Sequence, residues 1–178
     1  ALTLVLVAAG WLGIASAQAL RPEVGKPLQQ AGELLRAGKA KEALAKVKEA
    51  EAVPNRTAAE QLTLDRMKAA AAQRAGDMGT AIVALEAIYA KAGAAEKGPL
   101  AEQLASAHAQ MRNNTKATEW LNRAIEAGQN TATTKQLQSY LLAASGDYAA
   151  IGRDAAAAVP AAEQAGRRPD EGALLRLA

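Results

Sequence analysis

The chain has 178 residues, a net charge of +3, no cysteine and no phenylalanine. Without cysteine there is no disulfide frame, no CxxC redox motif and no cysteine to carry a lipid after an export signal. Half of the residues are apolar and only 3% are aromatic. The apolar excess is alanine, the best helix former, and no stretch alternates as a strand would, so the composition points to helix throughout.

Residues 1–19 read ALTLVLVAAGWLGIASAQA. An apolar run ending in Ala17-Gln18-Ala19 has the form of a secretory signal peptide, with its basic leading region missing. Cleavage after Ala19 is expected, and an uncleaved anchor is the alternative. Residues 20–24 form the start of a short linker, LRPEVG, and residues 25–178 are expected to be one helical domain. Leu28, Ala31, Leu34 and Leu35 recur at helical spacing and mark the first helix, which Gly38 ends. Ala40, Ala43, Leu44, Val47 and Ala50 mark the second, stopped by Val53-Pro54. Thr57-Ala58-Ala59-Glu60 is a capping-box pattern opening the third helix, whose stripe is Leu64, Met67 and Ala71.

Asp77 is placed to cap a fourth helix carrying Ala81, Ile82, Leu85 and Ile88. A looser stretch, Ala92 to Gly98, is followed by Pro99, which suits the first turn of a fifth helix with Leu100, Leu104, His108 and Met111. Asn113 or Asn114 caps a sixth with Ala117, Trp120, Leu121, Ala124 and Ile125, closed by Gly128. Gln129 to Thr134 is a polar link. Leu137, Leu141 and Leu142 mark a seventh helix, and Gly146-Asp147-Tyr148 opens an eighth through Ile151, Ala155 and Ala158. Pro160 is expected to kink or end it. Gly166 to Pro169 is a further break, and Glu171 to Ala178 reads as the first helix of a fifth pair cut off in mid-element.

One skeleton recurs along this series. Gly38 leads to Ala43, Val47 and Ala50; Gly76 to Ala81, Leu85 and Ile88; Arg112 to Ala117, Leu121 and Ala124; Gly146 to Ile151, Ala155 and Ala158. Positions 43, 81, 117 and 151 are 38, 36 and 34 residues apart, a period that marks stacked helix pairs. The pattern resembles the tetratricopeptide repeat family. Gly146-Asp147-Tyr148 looks like that family's inter-helix turn. Ala43, Ala81 and Ala117 match the small residue opening its second helix, and Val47, Leu85 and Leu121 the large residue four positions later. The first helices depart from the family: its early Trp and Leu-Gly pair are missing, and in units two and four the stripe fits better after a slip of one residue. The resemblance covers about residues 25–160 and implies an all-α solenoid of about four hairpins plus the start of a fifth.

No catalytic apparatus is legible. His108 is the only histidine and falls on the inward stripe of its helix, where packing is the expected role. One histidine without cysteine makes no usual zinc site. Ser16, Ser106, Ser139 and Ser145 lie in no nucleophile elbow, and no phosphate loop or GxGxxG occurs. Asn55-Arg56-Thr57 and Asn113-Asn114-Thr115 match the glycosylation sequon but read better as helix-cap turns. Lysines and acids are interspersed, and Arg167-Arg168, the one basic pair, has no aromatic beside it, so no nucleic-acid partner is expected. The expectation is a protein that is not an enzyme and needs no cofactor.

The resemblance implies a protein-binding scaffold whose first helices line a concave, peptide-holding groove. Counting along those helices places Arg66, Gln73, Gln103, Gln110 and Gln136 on it, with Tyr140 joining only if the register does not slip. The leading segment implies a periplasmic or secreted bacterial protein with no membrane contact beyond that segment. Self-association, or service as an accessory part of a longer protein, is the alternative.

Overall fold

In the computed structural model, residues 20–146 and isolated positions between 153 and 168 are described. Seven α-helices and no strand occur among the described residues. They are α1 (Pro22–Arg36), α2 (Ala40–Glu51), α3 (Ala58–Ala75), α4 (Met78–Lys91), α5 (Ala94–Gln110), α6 (Asn114–Glu126) and α7 (Ala132–Ser145). The described residues are all-helical, in keeping with the expected all-α class. The expectations for residues 1–19, for Ile151, Ala155 and Ala158, and for Glu171 to Ala178 lie outside the described residues. Isolated positions from Arg153 to Gln164 are helical, Pro160 among them.

Local chemistry sets the helix ends. Thr57 accepts a hydrogen bond from the Glu60 amide at 3.2 Å while Glu60 accepts one from the Thr57 amide at 2.8 Å, so the capping box forms as expected. Asp77 caps α4 through the Thr80 amide at 3.1 Å, and Asn113, not Asn114, caps α6 through the Lys116 amide at 3.3 Å. The turns inside the pairs α1–α2, α3–α4 and α5–α6 use one device: Gly38 and Gly76 both have φ of 76°, and Arg112, at the equivalent place, has φ of 57°; Gly146, ending α7, has φ of 75°. Glycine tolerates this left-handed backbone; arginine carries a Cβ into it.

Three helices begin earlier than the sequence suggests. α1 opens at Pro22, inside the stretch expected to be linker, with Pro22 in the first turn where its missing N–H is harmless. α5 opens at Ala94, so Pro99 lies inside it and not at its start. Pro27 and Pro99 each sit five residues past the first residue of their helix, in its second turn, where each removes one i→i−4 hydrogen bond. α7 likewise starts at Ala132, within the expected polar link, capped by the Thr131 hydroxyl, which accepts from the Thr134 amide at 3.0 Å.

Each helix packs on the next in sequence, most closely within the pairs α1–α2, α3–α4 and α5–α6. Ala43, Ala81, Ala117, Val47 and Ala50 are fully buried, and Leu85, Leu121 and Ile88 nearly so. Small residues at these positions let paired helices approach closely; the large ones fill the space beside them. The buried residues form two separate cores. The first unites Val24, Leu28, Leu35, Leu44, Val47 and Leu64 with interleaved alanines. The second unites Leu85, Ile88, Leu104, Trp120, Leu137 and Leu141. The α3–α4 hairpin belongs to both: Ala71, Ala72 and Ala81 lie in the first core, Ala69, Ala84 and Leu85 in the second.

Candidate functional site

The first helices of the pairs do not all meet. α1 packs against α3, and α5 against α7, but no Cα of α3 comes within 8 Å of one in α5. The gap is a cleft of about 350 Å3. Its α3 wall is Arg66, Ala69, Ala70 and Gln73; its α5 wall is Ala95, Glu96, Pro99, Leu100 and Gln103; Leu85 and Ile88 of α4 form the floor. Three residues expected on the groove, Arg66, Gln73 and Gln103, are thus brought to one site. Arg66 and Gln73 are two helical turns apart and so share a face of α3.

Gln110 and Gln136 go elsewhere. They line a second, shallower depression between α5 and α7 with Ser106, Ala109, Thr133, Leu137 and Tyr140. Tyr140 is 47% exposed there, which corresponds to the register without a slip. Glu96, Leu100, Gln103, Ser106 and Gln110 recur at helical spacing, so the two depressions adjoin one stripe of α5.

Four of the cleft's lining side chains, Arg66, Gln73, Glu96 and Gln103, are polar. Arg66 Nη2 donates to Glu96 Oε1 at 2.7 Å, the one polar side-chain contact between α3 and α5 among the described residues. Both partners are about half exposed, so the pair is worth about 0.2–1 kcal/mol and is cheap to part. Sequence reasoning missed Glu96 because it placed residues 92–98 outside the helix. The acidic residue three places after Gly93, suited to the positive end of a helix, was the available signal. The alanine walls carried no signal at all, since alanine is everywhere in this chain.

Elsewhere, buried polar groups serve the fold. Glu60 is 3% exposed and accepts from Arg21 Nε and Nη2, both at 2.9 Å, and from the Arg21 amide at 3.1 Å. The Arg21 guanidinium, then the Thr57 amide, hold its carboxyl well down, at about 2. His108 is 8% exposed, and its Nε2 has no hydrogen-bond partner. Burial pushes its pKa below the usual value. Among the described residues no group of three metal-ligating side chains converges, and no helix is long and apolar enough to cross a membrane. The chain matches no known family model, no curated protein and no solved structure.

Proposed function

We propose that the chain is a tetratricopeptide-like array of stacked helix pairs that works as a binding scaffold, without catalysis, for a peptide or protein partner. Three features support this reading. The repeat positions of the first three units are buried. The turns within the pairs α1–α2, α3–α4 and α5–α6 share one left-handed backbone geometry. The residues counted onto a groove, Arg66, Gln73 and Gln103, line one cleft. The last carries the proposal: a preformed apolar cleft with a few convergent polar groups is the usual form of a ligand site. Glutamine amides both donate and accept, which suits the backbone of a bound peptide. The signal-like residues 1–19 support export to a bacterial envelope as the setting.

The test is site-specific photo-crosslinking in envelope extract. One chain carries a photoreactive residue at Gln103, on the cleft rim. Another carries it at Val83, which is 62% exposed and points away from the floor residue Leu85 on α4. The expected result is an adduct with a defined partner from position 103 and none from position 83. Equal adducts from both, or none from 103, would remove the cleft from the function. Adducts of the chain with itself would point to self-association.

A further inference from the structure

Among the described residues, two buried side-chain atoms have no hydrogen-bond partner, His108 Nε2 and Asn114 Oδ1. Both flank one turn: His108 stands in the last turn of α5, and Asn114 opens α6. Between them lies Arg112, whose φ of 57° puts a Cβ into left-handed backbone. Buried polar groups without partners and strained backbone each raise the energy of the closed form, and opening the turn to water relieves all three. The same turn bears on the cleft. No Cα of α5 lies within 8 Å of one in α3, and α5 is held by α6 most closely, then by α4 and α7. The place of α5 over the cleft is therefore set largely by α4 and α6, the helices whose charges lie around His108.

Charge decides when such a turn opens. The groups acting on the imidazole are Glu86 of α4 and Lys116 and Glu119 of α6, the last two paired at 2.9 Å. The one charged residue of α7, Lys135, stands near its start, and the other charges of α5, Glu96, Lys97 and Glu102, lie toward its opposite end. The C-terminal end of α5 favours a cation, but burial outweighs it and keeps the ring neutral below its usual 6.5. In the cation both ring nitrogens carry a proton, so Nε2 is then a buried, charged donor without an acceptor.

We propose that the α5–α6 turn is an acid-released latch: protonation of His108 opens the turn, shifts α5 and reshapes the cleft between α3 and α5. Neutral His108 keeps α5 packed on α6 and the cleft in its binding form. Acid therefore releases a partner held there. This inference rests on that cleft being the partner site proposed above, and it adds the regulation of that site.

The test is NMR of the full chain without a partner, from about pH 8 down to about pH 5. His108 is the only histidine, so its ring signal is unambiguous. That signal and the side-chain amide of Gln103, on the α5 wall, are expected to change with one shared midpoint below 6.5. Through that change the amide of Gln29 in α1 should stay fixed and the helical circular dichroism should be retained. His108→Gln and His108→Leu cannot take the proton, and each should hold Gln103 at its high-pH position throughout; the second serves if the first does not fold. Arg112→Gly relaxes the turn, and the shared midpoint should then need about two- to fivefold more acid. A Gln103 signal that stays fixed while His108 titrates would overturn the latch. So would a His108 that titrates at its usual 6.5, or a Gln103 change that survives in both variants. An unmoved midpoint in Arg112→Gly would remove backbone strain from the latch. The two readings fail separately. A partner crosslinked from Gln103 with no acid response of its amide leaves the scaffold and removes the latch. An acid response without a crosslinked partner leaves the moving turn and removes the scaffold.

Discussion

The two cores are built on one skeleton with different materials. The first contains no aromatic residue; its side chains are alanine, valine and leucine. Its edge is tied by charge: Arg21 to Glu60, Lys68 to Glu51 at 2.8 Å, and Arg74 Nη1 to the Leu35 carbonyl at 3.2 Å. The second core is organised around Tyr89 and Trp120, edge to face at 4.8 Å, with Arg123 over the Trp120 ring at 4.4 Å and Lys97 over Tyr89 at 5.6 Å. An alanine-rich repeat buries little area per residue, and each half makes up the deficit in its own way. Rings bury much area and need few partners. Buried ions need every partner they have.

The strongest way to break this comparison is to remove the ring that the second core depends on. Trp120→Ala should cost about 3–5 kcal/mol in chemical denaturation. If the cores are separate, hydrogen exchange should speed up in α5 and α6 and stay unchanged in α1 and α2. Equal loss in both halves would make them one cooperative unit. A smaller change sharpens the boundary itself. Ala81 is fully buried in the first core, four residues before Leu85 in the second. Ala81→Trp should overpack that contact and cost about 1–3 kcal/mol, with exchange rising first in α1 to α3. An unchanged melting temperature would mean that Ala81 does not sit at a close helix contact.

Much of this was legible in the sequence, for reasons that differ by helix. The second helices of the pairs could be read because an alanine with an aliphatic residue four places on, set among polar residues, marks one buried helix face. The caps at Thr57 and Asp77 are local and also read correctly. The Arg21–Glu60 clamp joins residues 39 apart in sequence and has no local signature. The gap between α3 and α5 was not legible either. Whether two first helices touch depends on the path of the chain through the α4–α5 link, where reading Pro99 as a helix start hid the true start at Ala94. The sequence thus places side chains on faces, whereas the distance between faces is a tertiary matter. Gln73 and Gln103 were found together, but Gln110 and Gln136 were not separated from them.

The turns offer a finer contrast. Both hairpins nearest the first core turn on glycine, whereas the α5–α6 hairpin turns on Arg112 at φ of 57°. Arg112→Gly should relieve that conformation and raise stability by about 0.5–1 kcal/mol, seen as a higher denaturation midpoint. A neutral or lower midpoint would mean that the arginine side chain compensates.

At pH 8 the last comparison has no amplitude; it emerges on acidification. Glu60 is ionised in the folded chain down to about 2, against an ordinary value of 4.5. Between these values the unfolded chain binds the proton first, so the stabilisation present above 4.5 is lost as pH falls through about 2. His108 lies among Glu86 of α4 and Lys116 and Glu119 of α6, and burial holds it neutral below its usual 6.5. The unfolded chain again protonates first, so stability in the second half should begin to fall as pH drops through 6.5. Exchange measured against pH should show α5 and α6 loosening before α1 to α3. His108→Gln should abolish the earlier step and Glu60→Gln the later one. Simultaneous loosening would show that the halves do not titrate apart.

Packing only between near neighbours also has a kinetic consequence. Among the described residues, the helices in contact are adjacent in sequence or separated by a single helix, as α1 from α3 and α5 from α7. Closing such short loops loses little chain entropy, and folds of low contact order form in microseconds to milliseconds. The partners of the α1–α2 hairpin lie in α3, the next helix along the chain.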